Sequence, residues 1–135
     1  MTKAFVPGVF DYLHHGHTNL IDKALELYDQ IIVGVIDDEG LILKNKKSKH
    51  STIDRVNTIK EHYPNVTVVT TNSTVEDYIK IYFDHKVDIH VVGTDHKGTP
   101  KALELEKHIE VIYLPRTEGI SSTQLRNEDP EYNKE

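Results

Sequence analysis

Short apolar stretches alternate with helical patterns along the chain. Five of them are rich in β-branched residues and too short for buried helices, so they predict strands; they span residues 4–6, 30–36, 66–69, 89–92 and 111–114. After the first stretch, apolar residues recur three and four positions apart from Leu20 to Tyr28, which predicts a helix with one buried face.

Capping residues mark the starts of further helices. Ser51 precedes Asp54 by three positions, and Thr74 precedes Asp77 in the same way. In each pair the hydroxyl is predicted to cap the helix that follows it. A short helix is predicted from Pro100, because proline is well tolerated at the first helical position.

This alternation predicts an α/β fold, a Rossmann-like open parallel sheet of five strands with helices on both faces. Residues 1–126 are predicted to form a single domain and residues 127–135 a polar C-terminal tail. Ligands of such sheets bind at the carboxyl ends of the strands, where the order of connections reverses. The segments with candidate chemistry follow predicted strands, so we expect them to meet at that edge.

Composition narrows the function classes. The 135 residues include 16 Lys and Arg against 22 Asp and Glu, and this net charge of −6 argues against a general nucleic-acid binder. The chain has no cysteine, which excludes disulfides, thiolate zinc sites and a cysteine nucleophile. No apolar run is long enough to span a bilayer and no cleavable leader is recognisable, so we expect a cytoplasmic protein with no membrane partner.

A positive patch lies within this acidic chain. Residues 37–40 are expected to end the second strand, and a loop with lysines at positions 44, 46, 47 and 49 is expected to follow. Such a run is commonly no more than a solvated loop. Its position after a strand favours phosphate binding as the alternative interpretation.

The N-terminal motif has the layout of a phosphate site. A glycine-bearing turn leads from the first strand into a helix, through Gly8-Val9-Phe10-Asp11-Tyr12-Leu13-His14-His15-Gly16-His17. His14 and His17 lie where backbone N–H groups and the helix dipole favour an anion. They could instead be metal ligands, although the motif offers no third ligand. Asp11 either caps the turn and orients a histidine or contacts a ligand directly, and His15 is expected to point elsewhere.

The C-terminal motif offers complementary chemistry. An arginine, a glycine and hydroxyls at a predicted helix start follow the fifth strand, in Arg116-Thr117-Glu118-Gly119-Ile120-Ser121-Ser122-Thr123. Arginine supplies bidentate donors to phosphate, and first-turn N–H groups supply more. Taken alone, the Ser-Ser-Thr string is most often a plain helix cap. With the first motif at the same sheet edge, a polyphosphate cradle is favoured.

Together the two motifs resemble the cytidylyltransferase family of the nucleotidyltransferase superfamily, and within it the bacterial glycerol-3-phosphate cytidylyltransferases. The resemblance covers residues 3–126; His-x-Gly-His marks the superfamily, and Arg-Thr-Glu-Gly-Ile-Ser points to CTP. It implies the nucleotidyltransferase fold and transfer of a cytidylyl group from CTP to a small phosphorylated alcohol, with release of pyrophosphate. It also implies Mg²⁺ carried by the CTP phosphates and a homodimer.

The resemblance further implies a role for each motif residue. The implied catalytic residues are His14, His17, Lys44 and Arg116. The implied nucleotide-binding residues are Val9, Phe10, Asp11, Lys46, Asp95, Arg116, Thr117, Glu118, Gly119, Ile120, Ser121, Ser122 and Thr123. Lys44 and Arg55 are expected to bind the acceptor, with a surface salt bridge as the alternative for Arg55. No protein side chain is expected to bind a metal.

Three departures from the glycerol-phosphate pattern fall on the acceptor side. Residues 63–66 lack an arginine, residues 70–78 lack the expected lysines, and His96 stands where tryptophan is usual. We expect sn-glycerol 3-phosphate as the acceptor, giving CDP-glycerol. The alternatives are another phosphorylated polyol or amino alcohol, then an ATP-using adenylyltransferase, then a non-catalytic CTP-sensing module.

Overall fold

The computed structural model describes residues 2–10 and 15–115, with the backbone alone for residues 15–19. The strands are β1 (Lys3–Gly8), β2 (Gln30–Ile36), β3 (Thr67–Thr71), β4 (Ile89–Gly93) and β5 (Glu110–Leu114). The helices are α1 (His15–Leu27), α2 (Asp38–Leu43), α3 (Thr52–His62), α4 (Val75–His85) and α5 (Pro100–Leu105), with a 3-10 turn at Thr94–His96. None of the helices in this part of the chain is long and apolar enough to cross a membrane.

All five strands are parallel and lie in the order β3-β2-β1-β4-β5. The chain builds outward from β1 through β2 to β3, then returns to place β4 on the other side of β1. The connection order therefore reverses between β1 and β4, which is where an open α/β sheet binds its ligand. The predicted fold class is confirmed.

Each face of the sheet carries its own apolar core. On one face, Val6 and Val33 pack in a cluster with Ile21 of α1 and Ile59 of α3. On the other, Phe5 of β1 packs in a cluster with three residues of α4 and one of α5: Tyr78, Ile81, Tyr82 and Leu105. Alternate residues of β1 thus serve opposite faces, as expected for a central strand covered by helices on both sides.

The predicted helix caps are confirmed. The Ser51 hydroxyl accepts a hydrogen bond from the Asp54 N–H at 3.2 Å, and the Thr74 hydroxyl accepts one from the Asp77 N–H at 3.1 Å. Thr99 caps α5 in the same way. A side-chain cap of this kind stabilises a helix by about 1 kcal/mol.

The lysine-bearing loop is present at residues 44–49, but a helix that was not predicted, α2, lies between it and β2. Asp37 is its N-cap, and the carboxylate accepts a hydrogen bond from the Gly40 N–H at 2.8 Å. Gly40 is buried, and a Cβ atom there would lie 2.7 Å from the carbonyl oxygen of Asn72. Close packing against the end of β3 therefore stabilises a helix too short to form alone.

His90 of β4 lies among aromatic rings on the face that α4 covers. Its side chain is 2% exposed, it shares a hydrogen bond with the Tyr82 hydroxyl through Nδ1, and the rings of Phe5 and Tyr78 lie beside it. Burial, followed by the positive charges of His96 and Lys101, lowers the pKa of His90 from 6.5 to about 3. The imidazole is therefore neutral in the folded protein at physiological pH.

This burial makes stability pH-dependent. Because the folded pKa is depressed, the unfolded chain takes up a proton at His90 below pH 6.5 and the folded chain does not. As the pH falls from 6 to 4, protonation of His90 in the unfolded chain lowers the free energy of unfolding by about 1.4 kcal/mol for each pH unit. His90→Gln, followed by urea unfolding across this range, should reduce the slope by that amount. His62→Gln, at an exposed position of α3, should not; equal slopes in the wild type and His90→Gln would contradict the assignment.

Candidate functional site

The turn after β1 lies at the carboxyl edge of the sheet. Phe10 has a left-handed backbone, with φ of 54°, and its ring is 2% exposed. The ring folds back over β1, so that a Cβ atom on Gly8 would lie 2.8 Å from the Phe10 Cζ. Glycine is required at that position for this close approach. Phe10 thus offers a ligand its backbone, because its ring belongs to the core.

Most residues of the two sequence motifs lie outside the described part of the chain. Helix α1 begins at His15, which places the backbone of His17 in its first turn, where N–H groups lack intrahelical partners. The positions outside the described residues are Asp11, His14, Arg116, Thr117, Glu118, Gly119, Ile120, Ser121, Ser122 and Thr123, together with the side chain of His17. Their roles remain predictions, as does the boundary between domain and tail.

Two lysines of the predicted patch end α2 at this same edge. Lys44 is the C-cap residue, its side chain is half-buried, and Asn45 after it has a left-handed backbone with φ of 55°. The Lys46 N–H then donates to the Leu41 carbonyl oxygen at 2.8 Å, which folds the chain back on the helix. This turn holds Lys44 and Lys46 close together.

A third lysine, from the first turn of α5, joins them. Lys101 Nζ donates to the carbonyl oxygen of Ser73 at 2.5 Å and to its hydroxyl at 3.2 Å. Burial, followed by the positive charges of Lys44 and Lys46, lowers the pKa of Lys101 to about 8. Sequence reasoning did not assign Lys101 to the site, although its position after β4 indicates the correct edge of the sheet.

Arg55 is buried and connects four segments around the site. Its guanidinium donates to backbone carbonyl oxygens of Val9 (3.0 Å), His50 (3.1 Å) and Ile36, and to the side chains of Asp38 (3.1 Å) and Thr52 (3.3 Å). Arg55 does form a salt bridge, to the exposed carboxylate of Asp38, but the arginine itself is 1% exposed and most of its partners are backbone carbonyl oxygens. These contacts show a guanidinium that holds the first turn and α2 in place, and acceptor binding by Arg55 remains a prediction.

Asp95 follows β4, the neighbour of β1 in the sheet. It is exposed and lies in the 3-10 turn with His96, and its carboxylate lies over Gly93, where a Cβ atom would be 2.7 Å from the Asp95 Oδ1. A carboxylate at this position can accept a hydrogen bond from an exocyclic amine of a base. Among the side chains that the structure describes, no three His, Asp or Glu residues are grouped to hold a metal ion.

The Arg55 contacts predict a large effect on stability. Arg55→Met should lower the free energy of unfolding by about 3 kcal/mol, because buried carbonyl oxygens lose their donors. Urea unfolding measures this value. Lys60→Met, at an exposed position of the same helix, is the matched control and should change stability by less than about 0.5 kcal/mol. Equal values for the two variants would refute the structural role.

Comparison with known proteins identifies the family. Residues 5–128 match the family described as cytidylyltransferase-like. The glycerol-3-phosphate cytidylyltransferases of Bacillus spizizenii and Bacillus subtilis are 41% and 38% identical to this chain, each over 95% of it and 97% of the relative. The lipopolysaccharide core biosynthesis protein of Thermoplasma volcanium has the same fold, with a TM-score of 0.73 at 23% identity over 87% of this chain and 99% of its own. A chain that shares this sequence pattern along nearly its whole length and has this five-stranded parallel sheet belongs to the cytidylyltransferase-like family.

Proposed function

We propose that the protein transfers a cytidylyl group from CTP to sn-glycerol 3-phosphate, giving CDP-glycerol and pyrophosphate. The observation that carries the proposal is the identity of 38% to 41% with two glycerol-3-phosphate cytidylyltransferases over 95% of the chain. The lysines at the carboxyl edge of the sheet support it, because both substrates are anions.

The reaction requires little from the protein beyond positioning and charge. The second pKa of a phosphomonoester is about 6, so the attacking oxygen of the acceptor is already ionised at neutral pH. That oxygen forms a bond to the α-phosphorus of CTP while the bond to the bridging oxygen of the β-phosphate breaks, and pyrophosphate leaves with the electron pair. The protein must hold the two substrates in line and stabilise the charge on the five-coordinate phosphorus.

The proposed residue roles follow from this chemistry. His14 and His17 donate hydrogen bonds to the triphosphate and stabilise the α-phosphoryl transition state, and Lys46 neutralises the triphosphate. The β- and γ-phosphates are held by Arg116, Thr117, Ser121, Ser122 and Thr123, and the intervening Glu118, Gly119 and Ile120 complete the nucleotide-binding segment. Val9 and Phe10 contact the nucleotide through their backbones, Asp11 lies beside it, and Asp95 accepts a hydrogen bond from the cytosine amine.

The acceptor and the metal complete the proposal. Lys44 faces the acceptor phosphate, and Arg55 supports that side of the site through the segments that it holds. The donors at this edge are lysines, which bind phosphate rather than a cation, so the Mg²⁺ is proposed to be held by the CTP phosphates, where it neutralises charge. The active protein is proposed to be a cytoplasmic homodimer.

Pyrophosphate release tests the function directly. CTP and ATP are each combined with Mg²⁺ and with sn-glycerol 3-phosphate, other polyol phosphates, phosphocholine or phosphoethanolamine. Release is expected with CTP and sn-glycerol 3-phosphate. Release with ATP alone would establish the adenylyltransferase alternative, and release with a different acceptor would replace glycerol phosphate. CTP binding without release from any pair would favour the sensing module.

A comparison of two histidine variants tests the proposed role of His17. His17→Ala should lower kcat by about 10²- to 10³-fold, because a donor to the transition state is removed. His15→Ala is the matched control two residues away and should keep kcat within about threefold of the wild type. Steady-state pyrophosphate release measures both values, and similar losses in the two variants would contradict the assignment of His17.

A further inference from the structure

The three lysines at the carboxyl edge come from opposite sides of the point where the connection order reverses. Lys44 and Lys46 follow α2, which comes after β2, while Lys101 follows β4. The strands between which the order reverses, β1 and β4, lie within this span. Segments distant in sequence thus bring like charges near one another, at a cost in repulsion that a bound anion would remove.

The position of Lys101 is fixed by the turn between β3 and α4. Ser73 is 2% exposed and has a left-handed backbone, with φ of 68°. Its N–H donates to the Thr71 hydroxyl at 3.0 Å, and its hydroxyl shares a hydrogen bond of 2.8 Å with the Tyr78 hydroxyl. The Tyr78 ring centroid lies 5.9 Å from Lys101 Nζ, within range of a cation–π contact. The acceptor groups of Lys101 are therefore rigidly held.

Among the residues that the structure describes, hydrogen bonds to Ser73 use only part of the donor capacity of the Lys101 ammonium. An ammonium has three donors, and the carbonyl oxygen and hydroxyl of Ser73 take two of them. The charge of Lys44 acts on this ammonium, and Lys44 ends α2 at the same edge of the sheet, so a phosphate between the two lysines would accept from each. A half-buried, charge-assisted contact of this kind is stronger than one on an open surface.

The topology indicates which phosphate this is. The segment proposed to hold the leaving pyrophosphate, residues 116–123, follows β5 at one end of the sheet. Lys101 is held by Ser73, which follows β3 at the opposite end. An in-line displacement requires the attacking group to lie opposite the leaving group. The cation held by Ser73 is therefore assigned to the acceptor phosphate, on the side of the sheet away from β5.

We propose that Lys101, held by Ser73 and paired with Lys44, binds the phosphate of the acceptor alcohol. The assignment rests on the proposed cytidylyl transfer. It also supplies a cation to residues 70–78, where the sequence has no lysine.

This role is tested by measuring the KM for each of the two substrates separately. Lys101→Gln keeps a donor for Ser73 but loses the charge, so the KM for sn-glycerol 3-phosphate should rise by about 10-fold or more. The KM for CTP should stay within about twofold, because a merely structural role would affect both substrates. Lys101→Arg should restore most of the acceptor affinity. Lys107→Gln is the matched control, because Lys107 lies two residues beyond the end of α5 and its side chain is 70% exposed. It should leave the KM values for both substrates unchanged.

Circular dichroism shows whether Lys101→Gln folds. If it does not, an NMR titration of the wild type tests the same role. The side-chain NMR resonance of Lys101, assigned with Lys101→Arg, should shift when sn-glycerol 3-phosphate is added and should not shift with glycerol. No shift at a saturating acceptor concentration, or an unchanged acceptor KM in a folded Lys101→Gln, would overturn the role of Lys101 while leaving the proposed reaction in place. Absence of pyrophosphate release by the wild type would overturn the proposed reaction, and the role of Lys101 with it.

Discussion

The buried guanidinium of Arg55 is the constraint on which the carboxyl edge of the sheet depends. It joins the turn after β1, the end of β2, helix α2 and the segment before α3 through hydrogen bonds to Val9, Ile36, Asp38 and His50. The ion pair with Asp38 contributes little, because that carboxylate is 64% exposed and solvent screens it. The contacts with carbonyl oxygens contribute more to stability, since each gives a buried acceptor the donor that it would otherwise lack.

This arrangement explains how an acidic protein presents positive charge to its substrates. The net charge is −6, yet Lys44 and Lys46 after α2 and Lys101 of α5 converge at one edge, where backbone hydrogen bonds shape the turn after α2 and Ser73 holds Lys101. Repulsion among them is one reason why the pKa of Lys101 falls to about 8. Anionic substrates relieve that repulsion, so the free energy stored at the site favours their binding.

Local patterns predicted much of this structure. The strands, the caps at Ser51 and Thr74 and the start of a helix at Pro100 were readable from the sequence because they depend on neighbouring residues. Helix α2 was not, because its stability comes from the packing of Gly40 against Asn72, which is distant in sequence.

The same limit applies to the site. The contacts of Arg55 are mostly to backbone carbonyl oxygens, which leave no trace in the residue types around it. Lys101 lies in no motif, and its approach to Ser73 emerges from the packing of α5 beside α4. The motif roles of His14, His17 and residues 116–123 come from resemblance to the family, and they are the part of the account that chemistry must test.

In the proposed reaction, a direct transfer joins the α-phosphate of CTP to the acceptor phosphate. Phosphorus NMR of the purified protein with CTP, Mg²⁺ and sn-glycerol 3-phosphate observes the bond that forms. Direct transfer gives two coupled resonances of a new pyrophosphate diester, which grow at the same rate as free pyrophosphate while the monoester signal disappears. Appearance of CDP and inorganic phosphate with an unchanged monoester signal would mean simple CTP hydrolysis and would contradict it.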